Sequence, residues 1–202
     1  MINTKHQHSK IRFRSGLLLL LILNIPFIRR MMESDMALHM LLQFPLILLA
    51  GWLLARVLPE PTKKWNHAGI NGLLMASMIL MFWMIPRALD LVLINNTLES
   101  LKFLSLALAG AALALSWPVA GMIVRGFFLG NVLPMMMVAG WLYVEAPVRL
   151  CNSYLSYDQL RTGSGLLALS IAGSLVWLLT FFMSTDLEGH GATHCDNERT
   201  PR

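Results

Sequence analysis

MALHMLLQFPLILLAGWLLARV, residues 36–57, is an apolar run that His39 and Gln43 interrupt near its start and Arg56 near its end. A helix of about 20 such residues crosses the hydrocarbon core of a bilayer. Hydrophobic residues make up 56% of the 202-residue chain and charged residues only 13%, too few polar side chains to cover a soluble domain. The predicted spans are 13–28, 36–57, 68–86, 101–124, 127–148 and 163–184. The sequence therefore predicts an all-α fold, a polytopic membrane helical bundle of about six transmembrane helices.

The chain divides into three predicted regions. Residues 1–33 form a basic N-terminus and a first span, residues 34–184 a five-span bundle, and residues 185–202 a polar tail. Basic residues before a short apolar core are also typical of a cleaved signal peptide, but no small-x-small cleavage site follows this core. An uncleaved signal anchor is therefore the favoured interpretation.

Loop charges predict the orientation, because cytoplasmic loops carry an excess of lysine and arginine. With the N-terminus inside, the inner segments hold ten basic residues, which are Lys5, Lys10, Arg12, Arg14, Arg56, Lys63, Lys64, Arg125, Arg199 and Arg202. The outer segments hold six, which are Arg29, Arg30, Arg87, Lys102, Arg149 and Arg161. Both termini are predicted to be cytoplasmic. The net charge of +5 is thus a topology signal, and no basic cluster indicates a nucleic-acid partner.

Polar side chains gather at the predicted outer ends of the spans. Asp35, His39 and Gln43 follow each other at steps of four and share one helix stripe. Ionisable groups near the hydrocarbon are costly and usually face the bundle interior. We expect Glu99 to do so, and to neutralise Arg87 or Lys102 or to serve a site. Hydrogen-bonded interfacial residues are one interpretation of the stripe, and part of a metal site is the other.

The methionines and cysteines give weaker evidence for a functional site. Met75, Met78, Met81 and Met84 recur at steps of three, which drift by about 60° each, so only Met81 and Met84 could serve one site. The cysteines at positions 151 and 195 fall on opposite predicted sides of the membrane and cannot pair. No nucleophile stands with a base and no phosphate-binding glycine loop occurs, so no enzyme is predicted.

Four segments resemble a known family when read in order. They are DMALHMLLQFPLILLAG, MFWMIPRALD, NNTLESLKFLSLALAGAALALSWPV and YDQLRTGSGLLAL. This order is similar to that of the CtaG-type cytochrome c oxidase assembly factors, over residues 34–177. Residues that match the family pattern are His39, Pro86, Glu99, Phe103, Trp117, Pro118, Asp158 and Gln159. Residues that stand where the family has histidine are Asp35, Gln43, Met84, Asn96 and Ser100.

The resemblance implies a protein of the bacterial inner membrane that assists maturation of a haem–copper oxidase. It implies copper delivery at the outer face through His39, Asp35, Met84 and Glu99, a more mixed donor set than a histidine cage. The implied partners are the lipid bilayer and either an oxidase subunit or a periplasmic copper protein. A small ion or metal transporter, with Asp35, His39, Asp90 and Glu99 along its path, is an alternative, and a structural subunit without any ligand is another.

Overall fold

The computed structural model describes residues 2–55, 66–146, 151 and 154–195. Every regular element in this part of the chain is helical, which confirms the predicted all-α fold. The α-helices are α1 (Ile2–Asn24), α2 (Pro26–Glu33), α3 (Phe44–Ala55), α4 (Ile70–Trp83), α5 (Pro86–Ile94), α6 (Asn96–Ser116), α7 (Met122–Glu145) and α8 (Ser156–Cys195). A π-helix (Leu38–Gln43) leads into α3, and a 3-10 turn (His67–Gly69) leads into α4.

Four segments are long and apolar enough to cross a membrane: Leu38–Ala55, Asn96–Ser116, Met122–Glu145 and Ser156–Met183. Two bent helix pairs raise the number to six if each pair is one span. The chain is thus a multi-pass membrane protein by helix length and composition, with four to six candidate spans. Large apolar side chains on the outside of α7 and α8, such as Val138, Trp141 and Leu179, are more than 60% exposed and suit contact with lipid.

The two bends change the predicted boundaries of spans one and three. The chain turns by 70° between α1 and α2 and by 75° between α4 and α5. In both places an isoleucine with extended backbone precedes a proline at the first helical position, Pro26 or Pro86. Proline disfavours helical backbone in the residue before it and is well suited to start a helix. The spans predicted to end at residues 28 and 86 therefore leave out most of the short helices α2 and α5.

The fourth span is shifted relative to its prediction of 101–124. The side chain of Asn95 accepts a hydrogen bond from the backbone N–H of Thr97 and caps α6, so the helix starts at Asn96. It ends at Ser116, and a turn separates it from α7. Two charged residues of the predicted outer segment, Glu99 and Lys102, consequently lie within the helix.

Helix α6 is the centre of the bundle. Both α3 and α4 pack along it, α1 packs on α3, and α7 pairs with α8. At the crossing of α3 and α6, Gly51 lies against the backbone of Ala107, and Gly110 lies against the backbone of Leu48. Small residues allow such a close approach between membrane helices.

Successive spans alternate in direction. Lys102 at the start of α6 meets residues 39 and 43 just before α3, whereas Trp83 at the end of α4 bonds to Ser105 near the start of α6. Helices α2 and α5 and the first turns of α6 and α8 therefore lie at one end of the bundle, called the polar end below.

Candidate functional site

Lys102 is the centre of a buried polar cluster at the polar end. Its ammonium nitrogen Nζ lies 2.7 Å from Oε1 of Glu33, 3.2 Å from Nε2 of His39 and 3.3 Å from Oε1 of Gln43. The side chains of Lys102, His39 and Gln43 are fully buried. A buried charge is stable only when it is paired and hydrogen-bonded, and these three acceptors meet that requirement. We call Glu33, His39, Gln43 and Lys102 the lysine cluster.

The second nitrogen of His39 is also engaged. Nδ1 lies 2.7 Å from the hydroxyl oxygen of Tyr154, in the segment just before α8. The ammonium of Lys102 can only donate, so Nε2 must accept from it, and a neutral imidazole then carries its proton on Nδ1 and donates it to Tyr154. Burial raises the pKa of Tyr154, so its hydroxyl stays protonated and free to donate elsewhere.

Arg29 adds further ionic contacts beside the lysine cluster. Arg29 of α2 forms an ion pair with Glu99 of α6, and its Nε also lies 3.9 Å from Glu33. The four charges of Arg29, Glu33, Glu99 and Lys102 balance one another. This balance lowers the cost of holding them at the edge of a hydrocarbon layer.

Asp35 lies at the rim of this end. One of its carboxylate oxygens accepts a hydrogen bond from the backbone N–H of Ala37 at 2.7 Å and so caps the helical segment that carries His39. The other oxygen lies 3.0 Å from Arg161 of α8. Both groups of this ion pair are partly exposed. Asp35 therefore joins the start of the second span to the start of α8.

An apolar layer closes the lysine cluster on its deeper side. Phe44 packs edge-on against the His39 ring, and Trp83 packs edge-on against Phe44. Trp83 also donates a hydrogen bond from its indole N–H to Ser105. Ile47 of α3 and Leu106 of α6, which follow in the same direction, are completely buried. Toward the middle of the bundle, the cluster is therefore followed by apolar side chains.

All four predicted site residues lie at the polar end, but the structure brings only three of them into its hydrogen bonds and ion pairs. His39 belongs to the lysine cluster, Glu99 is buried beside Arg29, and Asp35 lies at the rim. Glu99 faces the interior as expected, but its ion-pair partner is Arg29 rather than Arg87 or Lys102.

Met84 has a different environment. It is half-buried against the apolar core, and the side chain of α4 that reaches toward His39 is the neighbouring Trp83, through Phe44. For Met84 to reach His39, spans two and three would have to pack side by side. Instead both pack chiefly on α6.

The polar residues at the end of α7 and the start of α8 have separate roles. Gln159 is buried and donates a hydrogen bond to the backbone carbonyl of Tyr143, which ties α8 to α7. The carbonyl of Asp158 accepts from the hydroxyl of Thr162 within α8. Glu145 at the end of α7 is exposed. Cys151 is a free, buried thiol, and burial raises its pKa to about 12. The side chain of Cys195 lies outside the part of the chain that the structure describes.

Sequence reasoning missed Lys102, Glu33 and Tyr154. The charge count places Lys102 among the outer segments and the predicted span starts only at residue 101, because the prediction does not include the capped start of α6. The signal was present in NNTLES: an asparagine cap places Glu99 in the first turn of a helix and Lys102 three residues further on. A lysine inside an apolar helix indicates a specific partner. No comparable pattern in the sequence indicates Tyr154.

Copper binding at the predicted residues stays a prediction. Among the described residues, no group of three or more histidine, cysteine, aspartate or glutamate side chains is placed to hold a metal ion. Both nitrogens of His39 already have protein partners, and the carboxylates of Asp35 and Glu99 each pair with an arginine. A metal at His39 would have to displace Lys102 from Nε2.

A cavity of about 290 Å³ adjoins the Arg29–Glu99 pair, between α1 and α6. Leu20 and Asn24 of α1 and Phe103 and Leu104 of α6 form its walls. The cavity is separate from the space that Lys102 fills.

Comparisons with protein-family models, with curated protein sequences and with solved structures find no match to this chain. The described geometry and the sequence resemblance are therefore the basis for a functional proposal.

Proposed function

We propose that this protein resides in the bacterial inner membrane with both termini in the cytoplasm and assists the assembly of a haem–copper oxidase. Two observations support the proposal. Four segments resemble the CtaG-type assembly factors in order, and His39 and Glu99, which match the family pattern, both lie at the polar end. The loop charges favour a periplasmic location for that end.

The observation that carries the proposal is the apolar layer beneath the lysine cluster. An ion or proton path needs polar groups that continue through the membrane. Here Phe44 packs on the His39 ring, and Ile47 and Leu106, one helical turn beyond Gln43 and Lys102, are completely buried. The arrangement favours a protein that presents a fixed polar end to a partner over a transporter.

The contacts of His39 favour one form of assistance. With Lys102 on Nε2 and Tyr154 on Nδ1, the imidazole has no nitrogen open to a metal. Assistance by contact with an oxidase subunit at the polar end therefore fits the geometry better than copper transfer from His39.

Deletion of the gene tests the proposal. We expect membranes of the deletion strain to contain less assembled oxidase on native gels and less oxidase activity, while other respiratory complexes remain at their normal levels. The wild-type chain should restore both. Normal oxidase assembly in the deletion strain would contradict the proposal.

Copper supplementation separates the two forms of assistance. If the protein acts by contact, added copper leaves the deletion phenotype unchanged, and His39→Ala retains function to the extent that it remains folded. If it delivers copper, added copper restores oxidase activity. Met78→Ala, which changes a lipid-facing side chain of α4, is the matched control for expression and insertion.

A further inference from the structure

We propose that Glu33, His39 and Gln43 form a cation site that the chain fills with its own Lys102 ammonium, and that removal of this ammonium opens the site to a divalent transition-metal ion. The inference concerns binding by the purified protein and does not depend on the proposed role in oxidase assembly.

The first argument is the donor set. A carboxylate oxygen, an imidazole nitrogen and an amide oxygen converge on one point from three positions of the chain, at 2.7, 3.2 and 3.3 Å from Nζ of Lys102. Imidazole nitrogen and carboxylate oxygen are ordinary ligands of Zn²⁺. With the amide oxygen they make a donor set of mixed hardness, suited to a borderline divalent ion.

The second argument is the orientation of His39. Metal-binding histidines commonly donate the N–H of one ring nitrogen to an oxygen acceptor, which aims the other nitrogen at the metal. Nδ1 of His39 stands 2.7 Å from the Tyr154 oxygen in this way, and the lone pair of Nε2 points at the ammonium. The imidazole is thus held as a metal ligand would be, with Lys102 in the position of the metal.

The third argument is the orientation of Gln43. Its carbonyl oxygen faces Lys102, whereas its buried Nε2 has no hydrogen-bond partner among the described residues. Leaving a buried amide donor unpaired is unfavourable, because the group has lost its hydrogen bonds to water. The cation is therefore the group that determines how the surrounding side chains are arranged.

The space that the ligand would occupy is that of the lysine side chain itself. Lys102→Ala removes the ammonium and three of the four methylenes of a side chain with no exposed surface. Zinc–ligand distances are about 2.0–2.2 Å, so the Glu33 oxygen must move inward by roughly 0.6 Å and the donors of His39 and Gln43 by roughly 1 Å. Water can complete the coordination in the space left by the methylenes.

Zinc binding to purified protein in detergent tests the inference. Wild type, Lys102→Ala and Lys102→Arg are compared by equilibrium dialysis and by thermal unfolding in ZnCl₂. All three proteins carry the same terminal histidines, so background zinc binding by these histidines is the same in each. We expect one additional zinc per chain and a zinc-dependent rise in Tm for Lys102→Ala only. Lys102→Arg keeps a tethered cation and should resemble the wild type.

The ligands are tested by adding His39→Ala to Lys102→Ala. Zinc affinity should fall by roughly tenfold or more, since even the loss of a group that orients a metal ligand costs about that much. Equal zinc binding by wild type and Lys102→Ala overturns the inference. Additional zinc that is unaffected by His39→Ala also overturns it.

A second measurement covers a Lys102→Ala protein that does not fold without a cation. The yield of monodisperse protein is compared between membranes solubilised with and without ZnCl₂. The inference expects zinc to raise this yield for Lys102→Ala and to leave that of Lys102→Arg unchanged. A yield of Lys102→Ala that is equally low in both conditions contradicts it.

Discussion

At the scale of residues, the lysine cluster is the least expected feature of this chain. A lysine in an apolar helix is costly unless its charge is compensated. Lys102 is compensated by the carboxylate of Glu33 and by two neutral acceptors, and it has no exposed surface. The ion pair between Asp35 and Arg161 is partly exposed. Lys102 is therefore expected to contribute to stability in a different way from this pair.

Lys102→Met should destabilise the folded protein strongly. Breaking a buried ion pair by removing one partner costs about 3–5 kcal/mol, because the other charge remains buried. Arg161→Met, the matched control, should cost only about 0–1 kcal/mol, since exposed ion pairs contribute little. The measurement is the free energy of unfolding in mixed detergent micelles.

Adding Glu33→Gln to Lys102→Met discriminates between ionic and packing effects. Because the unpaired carboxylate is then absent, the double variant should recover part of the loss. Equal destabilisation by Lys102→Met and Arg161→Met would contradict the view that the lysine cluster is structurally important.

The sequence indicated some of these residues and could not indicate others. Steps of four place Asp35, His39 and Gln43 on one stripe of a helix. In the structure, His39 and Gln43 both contact Lys102. The contacts of Glu33 and Tyr154 join positions 69 and 115 residues apart in the chain. Such contacts follow from how helices pack, which local periodicity does not reveal.

At the scale of elements, the crossing of α3 and α6 depends on two glycines, which have no side chain. A Cβ atom at Gly51 would collide with the backbone of Ala107, and one at Gly110 would collide with the backbone of Leu48. Backbone cannot move aside as the end of a flexible side chain can. Gly130, in the interior of α7, has open space around its Cα position.

Gly51→Ala should therefore separate α3 from α6 and lower the Tm. Overpacking of this kind typically costs about 1–3 kcal/mol. Gly130→Ala is the control and should be neutral or slightly stabilising, because alanine favours helix by about 0.5–1 kcal/mol over glycine. Thermal unfolding followed by size-exclusion chromatography measures both. A drop in Tm for Gly130→Ala as large as that for Gly51→Ala would show that the effect is not specific to the crossing.

Element type was easier to predict than element boundaries. Long apolar runs indicate helices because backbone polar groups in lipid must be satisfied internally. The bends before Pro26 and Pro86 depend on proline at the first helical position, a pattern that hydropathy alone does not detect. Span 101–124 was misplaced for the same reason, since Asn95 caps a helix that begins in polar sequence.

At the scale of the whole molecule, alternating spans place the polar end on one side of the membrane. The loop charges predict that this side is periplasmic. The inner segments hold ten basic residues against six in the outer ones, and this bias is the basis of the prediction.

Cysteine labelling of intact cells tests this orientation. In a background with Cys195→Ser, a membrane-impermeant maleimide should label Asn95→Cys at the polar end and leave His67→Cys at the opposite end unlabelled. Both parent residues are exposed, so access to the reagent depends on the side of the membrane. Permeabilised cells should show labelling at both positions. The reverse pattern in intact cells would place the polar end in the cytoplasm.

The 69 residues that separate Glu33 from Lys102 also have a consequence for biogenesis. Ribosomes add about 5–20 residues per second, so Glu33 waits about 3–14 seconds for its ammonium partner after its own synthesis. During that interval Arg29, one helical turn earlier in α2, is the cation available to Glu33. Arrival of the fourth span brings Glu99 to Arg29 and the Lys102 ammonium to Glu33, so the ion pairs between α2 and α6 can form only then.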